Sequence, residues 1–158
     1  MISEFMEVIL KKVRENYPYA LLLDAPPAIY DSIDTPYIVS PGDGEVSITH
    51  MISNSSQCDF TAHIYLGNHI PNANRQTDIS ENILDVLKKA EEIYRTCFPR
   101  YTKSGKSGLT ISYTDPITGQ QIAAVNDTTD YSTTTWVVTG KVYAVVSINL
   151  HFKSYVDY

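Results

Sequence analysis

The C-terminal segment from Thr134 to Lys153 constrains the fold of this chain more than any other stretch. Its odd-numbered positions are mostly polar and its even-numbered positions mostly apolar, the apolar set being Trp136, Val138, Val142, Ala144, Val146, Ile148, Leu150 and Phe152. A period of two over this length is typical of a β-strand with one buried face. Because the parity is the same before and after Gly140, the sequence predicts one long strand, bent or bulged at that glycine.

A hairpin that turns at Thr139-Gly140 is the alternative for this segment. Thr-Gly is a weaker two-residue turn than Asn-Gly, and such a turn would place Trp136 opposite Tyr143, an odd-numbered residue. A single strand of this length would span about 65 Å, whereas ordinary strands span about 20 Å. We therefore expect part of the strand to extend beyond the domain and to pair with another chain.

Two amphipathic helices are predicted, over Ile2–Asn16 and Asp78–Cys97. Apolar residues recur at helical spacing in both, and a proline follows each of them. Asp78 and Glu81 have the spacing of a capping box at the start of the second helix. Its predicted apolar stripe consists of Ile83, Leu84, Leu87, Ala90, Ile93, Tyr94 and Cys97.

The remaining pattern is that of short strands separated by turns. Residues 45–52 and 58–66 alternate between apolar and polar and predict an antiparallel hairpin. Shorter strands are predicted at 19–23, at Tyr37–Val39, which is expected at an edge, and on both sides of the turn Asp115–Gly119, followed by a loop over Asn126–Asp130. This order predicts an α+β fold, with an antiparallel β-sheet packed against two α-helices on one face and a long C-terminal strand. We expect a single domain over residues 1–158, with extended loops at 24–45 and 98–108.

Composition and charge exclude several classes of protein. The net charge of −6 argues against a general nucleic-acid binder, which would normally be basic. Cys58 and Cys97 form no zinc or redox motif, so we expect buried thiols in a reducing cytoplasm. The N-terminal residues do not resemble a secretion signal, and no apolar run is long enough for a membrane helix.

The motifs that could carry catalysis or metal binding are each incomplete. Ser104-Gly-Lys-Ser107 resembles the end of a phosphate-binding loop, but the required first glycine is replaced by Arg100, and a helix precedes the motif. Cys97 lies near the C-terminal end of a helix, where the dipole disfavours a thiolate. No metal-ligand spacing is present among His50, His63 and His69 or among Asp24, Asp31, Asp34 and Asp43. We therefore predict no enzyme activity, no catalytic residues, no cofactor and no metal.

The distribution of charge indicates contacts between copies of the chain. Residues 15–74 contain seven acidic residues and no lysine or arginine, whereas residues 88–106 contain six basic residues and two acidic ones. An acidic region and a basic loop on one subunit are complementary on neighbouring copies, and head-to-tail contacts of this kind generate a closed ring when the rotation closes. Contact of the basic loop with DNA is an alternative. The candidate interface residues are Asp31, Asp34, Asp43, Glu45, Arg100, Lys103, Lys106, Tyr143 and Phe152.

The order of these elements resembles that of the tail-terminator and tail-completion proteins of long-tailed bacteriophages, which join the head and tail. The resemblance rests on the N-terminal helix Ile2–Asn16, a Pro- and Gly-rich β region that ends in Cys58-Asp-Phe-Thr-Ala-His-Ile-Tyr-Leu66, the helix Asp78–Cys97, and the β region Leu109–Lys153. Residues 24–45 and 100–108 depart from the family pattern.

The resemblance implies a non-enzymatic virion protein that assembles in the host cytoplasm as a ring, typically a homohexamer. Such a ring would terminate the tail tube and join it to the head or neck, with the tube, sheath or connector proteins as partners. DNA would pass through its lumen without specific binding, since an acidic surface repels the duplex. A head-completion or connector adaptor is an alternative, as is a small ligand-binding domain or enzyme.

Overall fold

The structure is a computed structural model, and it describes residues 2–23, 37–39, 47–50, 55–71, 76–100, 103, 105, 107–138 and 140–157. Along these residues the elements are α1 (Ile2–Arg14), β1 (Leu21–Leu23), β2 (Tyr37–Val39), β3 (Ser47–His50), β4 (Ser55–His69), α2 (Gln76–Cys97), β5 (Thr110–Thr114), β6 (Gln121–Val138) and β7 (Lys141–Asp157). Helices combined with a mainly antiparallel sheet confirm the α+β class.

The described strands form one sheet in the order β1-β2-β4-β7-β6-β5, and β3 also pairs with β4. Strands β2 and β3 share one edge of β4, where β2 pairs with residues 63–65 and β3 with residues 56–59. The antiparallel pairing of β3 with β4 confirms the hairpin predicted for this region. Strand β2 is not the predicted edge strand, because β1 pairs with it in parallel on its other side.

Helix α1 forms because its apolar residues recur at intervals of three or four and so share one face. That face is buried, and it consists of Phe5, Met6, Ile9 and Val13. The last turn carries Lys11, Lys12 and Arg14, whose positive charges favour the negative end of the helix dipole. The helix ends at Arg14, slightly before the predicted end at Asn16.

Helix α2 begins before its predicted start, so Asp78 lies inside the first turn instead of capping it. Val86, Ala90, Ile93 and Cys97 form the fully buried part of its stripe. Leu84, which was predicted to belong to the stripe, is 55% exposed. The reason is geometric, since Leu84 and Val86 are about 200° apart around the helix axis.

One hydrophobic cluster joins both helices to the sheet. Strands β4 and β7 contribute their even-numbered residues, as their alternation predicts, namely Cys58, Phe60, Ala62, Ile64, Leu66, Ala144, Val146, Ile148, Leu150 and Phe152. The ring of Phe60 stacks on Phe152 and on Phe5 of α1, with centroids 5.2 Å and 5.3 Å away. A fully buried side chain of this size contributes about 1.5–3 kcal/mol, so these rings are a large part of the stability of the core.

The C-terminal segment is a hairpin, and the predicted single strand is wrong. Strands β6 and β7 pair from Ala124 with Ser154 to Val138 with Lys141, which leaves a two-residue connection at 139–140. Gly140 has a φ angle of 76°, which a residue without a Cβ adopts without strain. Trp136 therefore lies opposite Tyr143, in the pairing that the sequence disfavoured.

The register explains why parity was misleading, because the two-residue connection pairs even-numbered residues of β6 with odd-numbered residues of β7, and a β-bulge at Asp127 ends this pattern. Asn126 pairs with Phe152 and Thr128 pairs with His151, so Asp127 has no register partner. One extra residue exchanges the two faces for every position that follows. From Thr128 onward, even-numbered residues of β6 therefore lie opposite odd-numbered residues of β7. The predicted loop Asn126–Asp130 is also wrong, since these residues belong to β6.

Strand β7 lies in the centre of the sheet, between β4 and β6. It pairs with β4 over residues 143–157 and with β6 over residues 141–154. Residues 143–150 are all buried, so both of its faces are covered where one was predicted. The prediction that this strand extends beyond the domain to another chain is wrong, because both of its edges are occupied over residues 143–154.

Much of the two predicted loops lies outside the described residues. Within 24–45 the structure describes only residues 37–39, and within 98–108 it describes 98–100, 103, 105, 107 and 108. Gly108 lies so close to Pro99 that an added Cβ would collide with the Pro99 carbonyl oxygen. This close approach brings together the two ends of the segment that connects α2 to β5.

Candidate functional site

Polar side chains from three strands share one face of the sheet, which we call the polar face. Register partners lie on the same face, and the pairs here include Thr61 with His151 and Ser132 with Ser147. Nine residues of this face form the hydrogen bonds and ring contacts described below: Thr61, His63, Tyr65, Asp130, Ser132, Trp136, Ser147, Asn149 and His151. They come from odd positions of β4 and β7 and, because of the bulge, from even positions of β6.

Asn149 is the centre of a hydrogen-bond network on the polar face. Its Oδ1 accepts from His63 Nδ1 at 2.7 Å and from Ser147 Oγ at 2.7 Å. Its Nδ2 donates to Asp130 Oδ1 at 2.6 Å and to Ser132 Oγ at 2.9 Å. Since all of these partners suit the same amide orientation, the buried Asn149 links the three strands through one side chain.

His151 connects the network to a hydroxyl group. Its Nε2 donates to Asp130 Oδ2 at 2.8 Å, and its Nδ1 lies 2.9 Å from Thr61 Oγ1. In the neutral ring with a proton on Nε2, the Thr61 hydroxyl donates to Nδ1. The resulting order of carboxylate, imidazole and hydroxyl is the order that activates a hydroxyl nucleophile in hydrolases.

The environment of Asp130 favours its ionised form. Hydrogen bonds from Asn149 and then from His151 lower the pKa of this carboxyl group below its ordinary value. The carboxylate therefore accepts hydrogen bonds at neutral pH, and it holds both the Asn149 amide and the His151 ring in place.

Two open hollows lie on the polar face. One has a volume of about 320 Å³ and is lined by His63, Tyr65, Trp136 and Asn149, among others. The other has a volume of about 390 Å³ and is lined by residues that include Thr61, His151 and Lys153. In this second hollow Lys153 Nζ lies 3.4 Å from Asp127 Oδ2. Both hollows are large enough for a small polar molecule.

Aromatic rings form one end of the polar face. The centroid of Tyr65 lies 5.7 Å from that of Trp136 and 6.1 Å from that of His63. Tyr143 and Val145 are buried in the same small cluster. The rings of Tyr65 and Trp136 pack on this cluster, which is why Tyr143 and Val145 are buried although they face away from the main core.

Among the residues that the structure describes, strand β6 has an open edge along most of its length. Strand β5 pairs only with residues 121–125, and the Asn126 amide donates to the Leu109 carbonyl oxygen at 2.9 Å. From residue 127 to residue 138 no described strand lies on the outer side of β6. This open edge contains no lysine, arginine or proline.

The predicted interface residues are scattered among different environments. Arg100 and Lys103 are exposed. Tyr143 is buried beneath the aromatic end of the polar face. The prediction that Phe152 lies at an interface is wrong, because its side chain is 1% exposed and stacks on Phe60 in the core of its own chain. Asp31, Asp34, Asp43, Glu45 and Lys106 lie outside the described residues.

Both cysteines have the environment of structural residues. Cys58 and Cys97 are free and buried, and burial raises the pKa of both thiols, to about 11 for Cys97. A thiol with so high a pKa is a poor nucleophile at neutral pH. Within the described part of the chain, no group of three or more His, Cys, Asp or Glu side chains could hold a metal ion.

The sequence identified the polar positions of β7 but not their network. Ser147, Asn149 and His151 alternate with core residues, which marks them as one face of a strand. Their partners His63 and Asp130 belong to other strands, and only the register brings them within hydrogen-bond distance. Asp130 was missed because residues 126–130 were predicted to form a loop, whereas they belong to β6.

Comparison with known proteins assigns no family to this chain: no family model matches it, and no curated protein matches it. Within the described residues, neither α1 nor α2 has both the length and the apolar character that a membrane-spanning helix requires.

Proposed function

We propose that this protein is a non-enzymatic subunit of a phage virion, which assembles into a ring that terminates the tail tube and joins it to the head or neck. The observation that carries the proposal is the order of the elements. Helix α1 is followed by short strands that pair with β4, then by the long helix α2 and the antiparallel strands β5, β6 and β7. Tail-terminator and tail-completion proteins have a similar order of elements. A head-completion or connector adaptor is an alternative function, which differs in the proteins that the ring would contact.

We infer further that both helices cover one face of the sheet. Buried residues of α1 and α2 belong to the same cluster as the even-numbered residues of β4 and β7. The polar face carries the opposite set of side chains. This arrangement leaves the polar face and the open edge of β6 as two surfaces for contact with other molecules.

The charge of the chain fits a channel for DNA better than a DNA-binding surface. The net charge is −6, and a lumen of like charge keeps the duplex from adhering as it passes. Exposed basic residues such as Arg100 and Lys103 would contact the acidic region of a neighbouring copy. Contacts of this kind between exposed charges weaken as salt is added.

The mass of the native protein tests this proposal. Light scattering at increasing protein concentration, together with images of particles, is expected to show a closed ring, typically sixfold. The ring should also bind to the open ends of purified tail tubes, and added salt should lower its stability. A protein that stays monomeric at high concentration and does not bind tail tubes would overturn the proposal.

A second candidate function is suggested by the chain from Asp130 through His151 to Thr61. It lies beside the hollow of about 390 Å³ and has the group order of a hydroxyl nucleophile with its base. A screen with activated esters tests it, with Thr61→Val as the variant that removes the hydroxyl. Hydrolysis that is lost in this variant would favour an enzyme, whereas equal rates for both proteins would exclude this role.

A further inference from the structure

The backbone of β6 directs alternate residues toward its open edge. Val138 and Lys141 close a two-residue connection, and such a closing pair exchanges both of its backbone hydrogen bonds. Because bonded and non-bonded pairs alternate, even-numbered residues of β6 after the bulge bond to β7. The odd-numbered residues therefore direct their N–H and C=O groups outward, at Thr129, Tyr131, Thr133, Thr135 and Val137.

This edge lacks the features that normally prevent strand pairing. Edge strands are commonly protected by lysine, proline, short length or a central bulge. The open edge has neither lysine nor proline, its bulge is at one end, and residues 129–137 would span about 30 Å. Its two acidic side chains are engaged elsewhere, Asp127 with Lys153 and Asp130 with His151 and Asn149.

The side chains along the edge favour a neighbouring strand. The segment is rich in threonine, a β-branched residue that packs well against a partner on a pleated surface. Thr133, Thr135 and Val137 are exposed, and Val137 is 69% exposed. A strand laid along this edge would pair the outward backbone groups and cover these side chains.

We propose that the open edge of β6 receives a strand from a second copy of this chain, which extends the sheet across the subunit boundary. The sheet also ends on its other side, where β1 and β3 have no described strand on their outer edges. Pairing the β1–β3 side of one copy with β6 of the next uses two different surfaces. Contacts between two different surfaces generate a ring when the rotation between copies closes. This inference therefore rests on the proposed function and specifies its interface.

Proline substitutions distinguish the two sides of β6. Thr133→Pro removes an outward N–H and leaves the hydrogen bonds to β7 intact. We expect a folded protein with an unchanged circular dichroism spectrum and association weakened by about tenfold or more. Thr134→Pro is the matched control, since it removes a hydrogen bond to β7 and should lower the unfolding midpoint. Thr133→Ala keeps the N–H and should assemble like the wild type.

Hydrogen exchange provides a second measurement that needs no variant. In the assembled protein, the amides of the odd-numbered residues 129–137 should exchange at least about tenfold more slowly than in the dissociated protein. The even-numbered amides should be protected in both states, because they bond to β7. An alternating response of this kind would identify pairing at the edge even if Thr133→Pro failed to fold.

The outcomes separate this inference from the proposed function. If the wild type forms a ring while Thr133→Pro assembles normally and the odd-numbered amides are unaffected, the edge inference is overturned and the ring proposal stands. If the wild type stays monomeric and does not bind tail tubes, the ring proposal and the inference both fail. Protection of the odd-numbered amides only after an unrelated extended peptide is added would overturn the choice of a second copy as the partner.

Discussion

Strands β6 and β7 belong to the same hairpin, but they differ in how much of each is exposed to solvent. Residues 143–150 of β7 are buried on both faces, whereas most of residues 127–137 of β6 are exposed. The neighbouring strands explain the difference. Strand β7 has a long partner on each side, while β6 has β7 on one side and β5 only along residues 121–125. The hairpin therefore combines the most enclosed strand of the described sheet with a long open edge.

This difference indicates where the stability of the chain lies and where it can interact. Substitutions on the core side of β7 should have the largest effects on unfolding. Those in the polar network between the two strands should have intermediate effects. Those at exposed groups on β6 should affect stability least, although the same strand carries the proposed contact between subunits.

The largest loss of stability is expected for Phe152→Ala. The ring stacks on Phe60 with centroids 5.2 Å apart and also contacts Phe98, so its removal leaves a cavity in the core. Such substitutions lower the free energy of unfolding by about 3–5 kcal/mol. Tyr155→Ala, on the same strand but 63% exposed, is the control and should change it by less than about 0.5 kcal/mol. Denaturant unfolding measures both, and equal losses would contradict the contrast.

An intermediate loss is expected for Asn149→Ala. The substitution removes four hydrogen bonds, so each of four residues loses one partner: His63, Asp130, Ser132 and Ser147. We expect a loss of about 1–3 kcal/mol in the free energy of unfolding. Ser132→Ala removes only one of these bonds and should cost less. If both variants unfold at the same denaturant concentration as the wild type, the network does not stabilise the pairing of β6 with β7.

The contrast between the strands also shows what the sequence could predict. Alternation in β4 and on the core side of β7 is a local signal, because core-facing residues recur at every second position and most residues between them are polar. The helices could also be predicted from the spacing of their apolar residues, except that Leu84 was wrongly placed on the buried stripe. These elements needed no knowledge of the neighbouring strands.

The position of β6 depended on information that alternation does not contain. The two-residue connection places even-numbered residues of β6 opposite odd-numbered residues of β7, so the apparent continuity of parity from Trp136 to Phe152 was accidental. The tendency of Thr139-Gly140 to form a turn was also underestimated, since Thr-Gly is an uncommon turn pair, but Gly140 adopts the positive φ angle of 76°. The polar network could not be predicted for a similar reason. Its contacts depend on the register between strands, which places His63 opposite Asn149, and not on spacing along the chain.

The smallest effect is expected on β6 itself, for Asp130→Asn as the pH is lowered. The folded-state pKa of Asp130 lies below its unfolded value, so its ionised form stabilises the fold. This stabilisation is complete above the unfolded pKa of about 3.9 and is lost as the pH falls through the folded pKa. Because the side chain is 57% exposed, we expect less than about 1 kcal/mol.

Urea unfolding over a range of pH values measures this effect as the difference between the wild type and Asp130→Asn. The wild type should be more stable at neutral pH, and the difference should shrink in acid, where the carboxylate takes up a proton. Glu81→Gln, at an exposed carboxylate on α2, provides the baseline for general charge effects. A difference that is independent of pH would show that the bonds from Asn149 and His151 do not favour the ionised carboxylate.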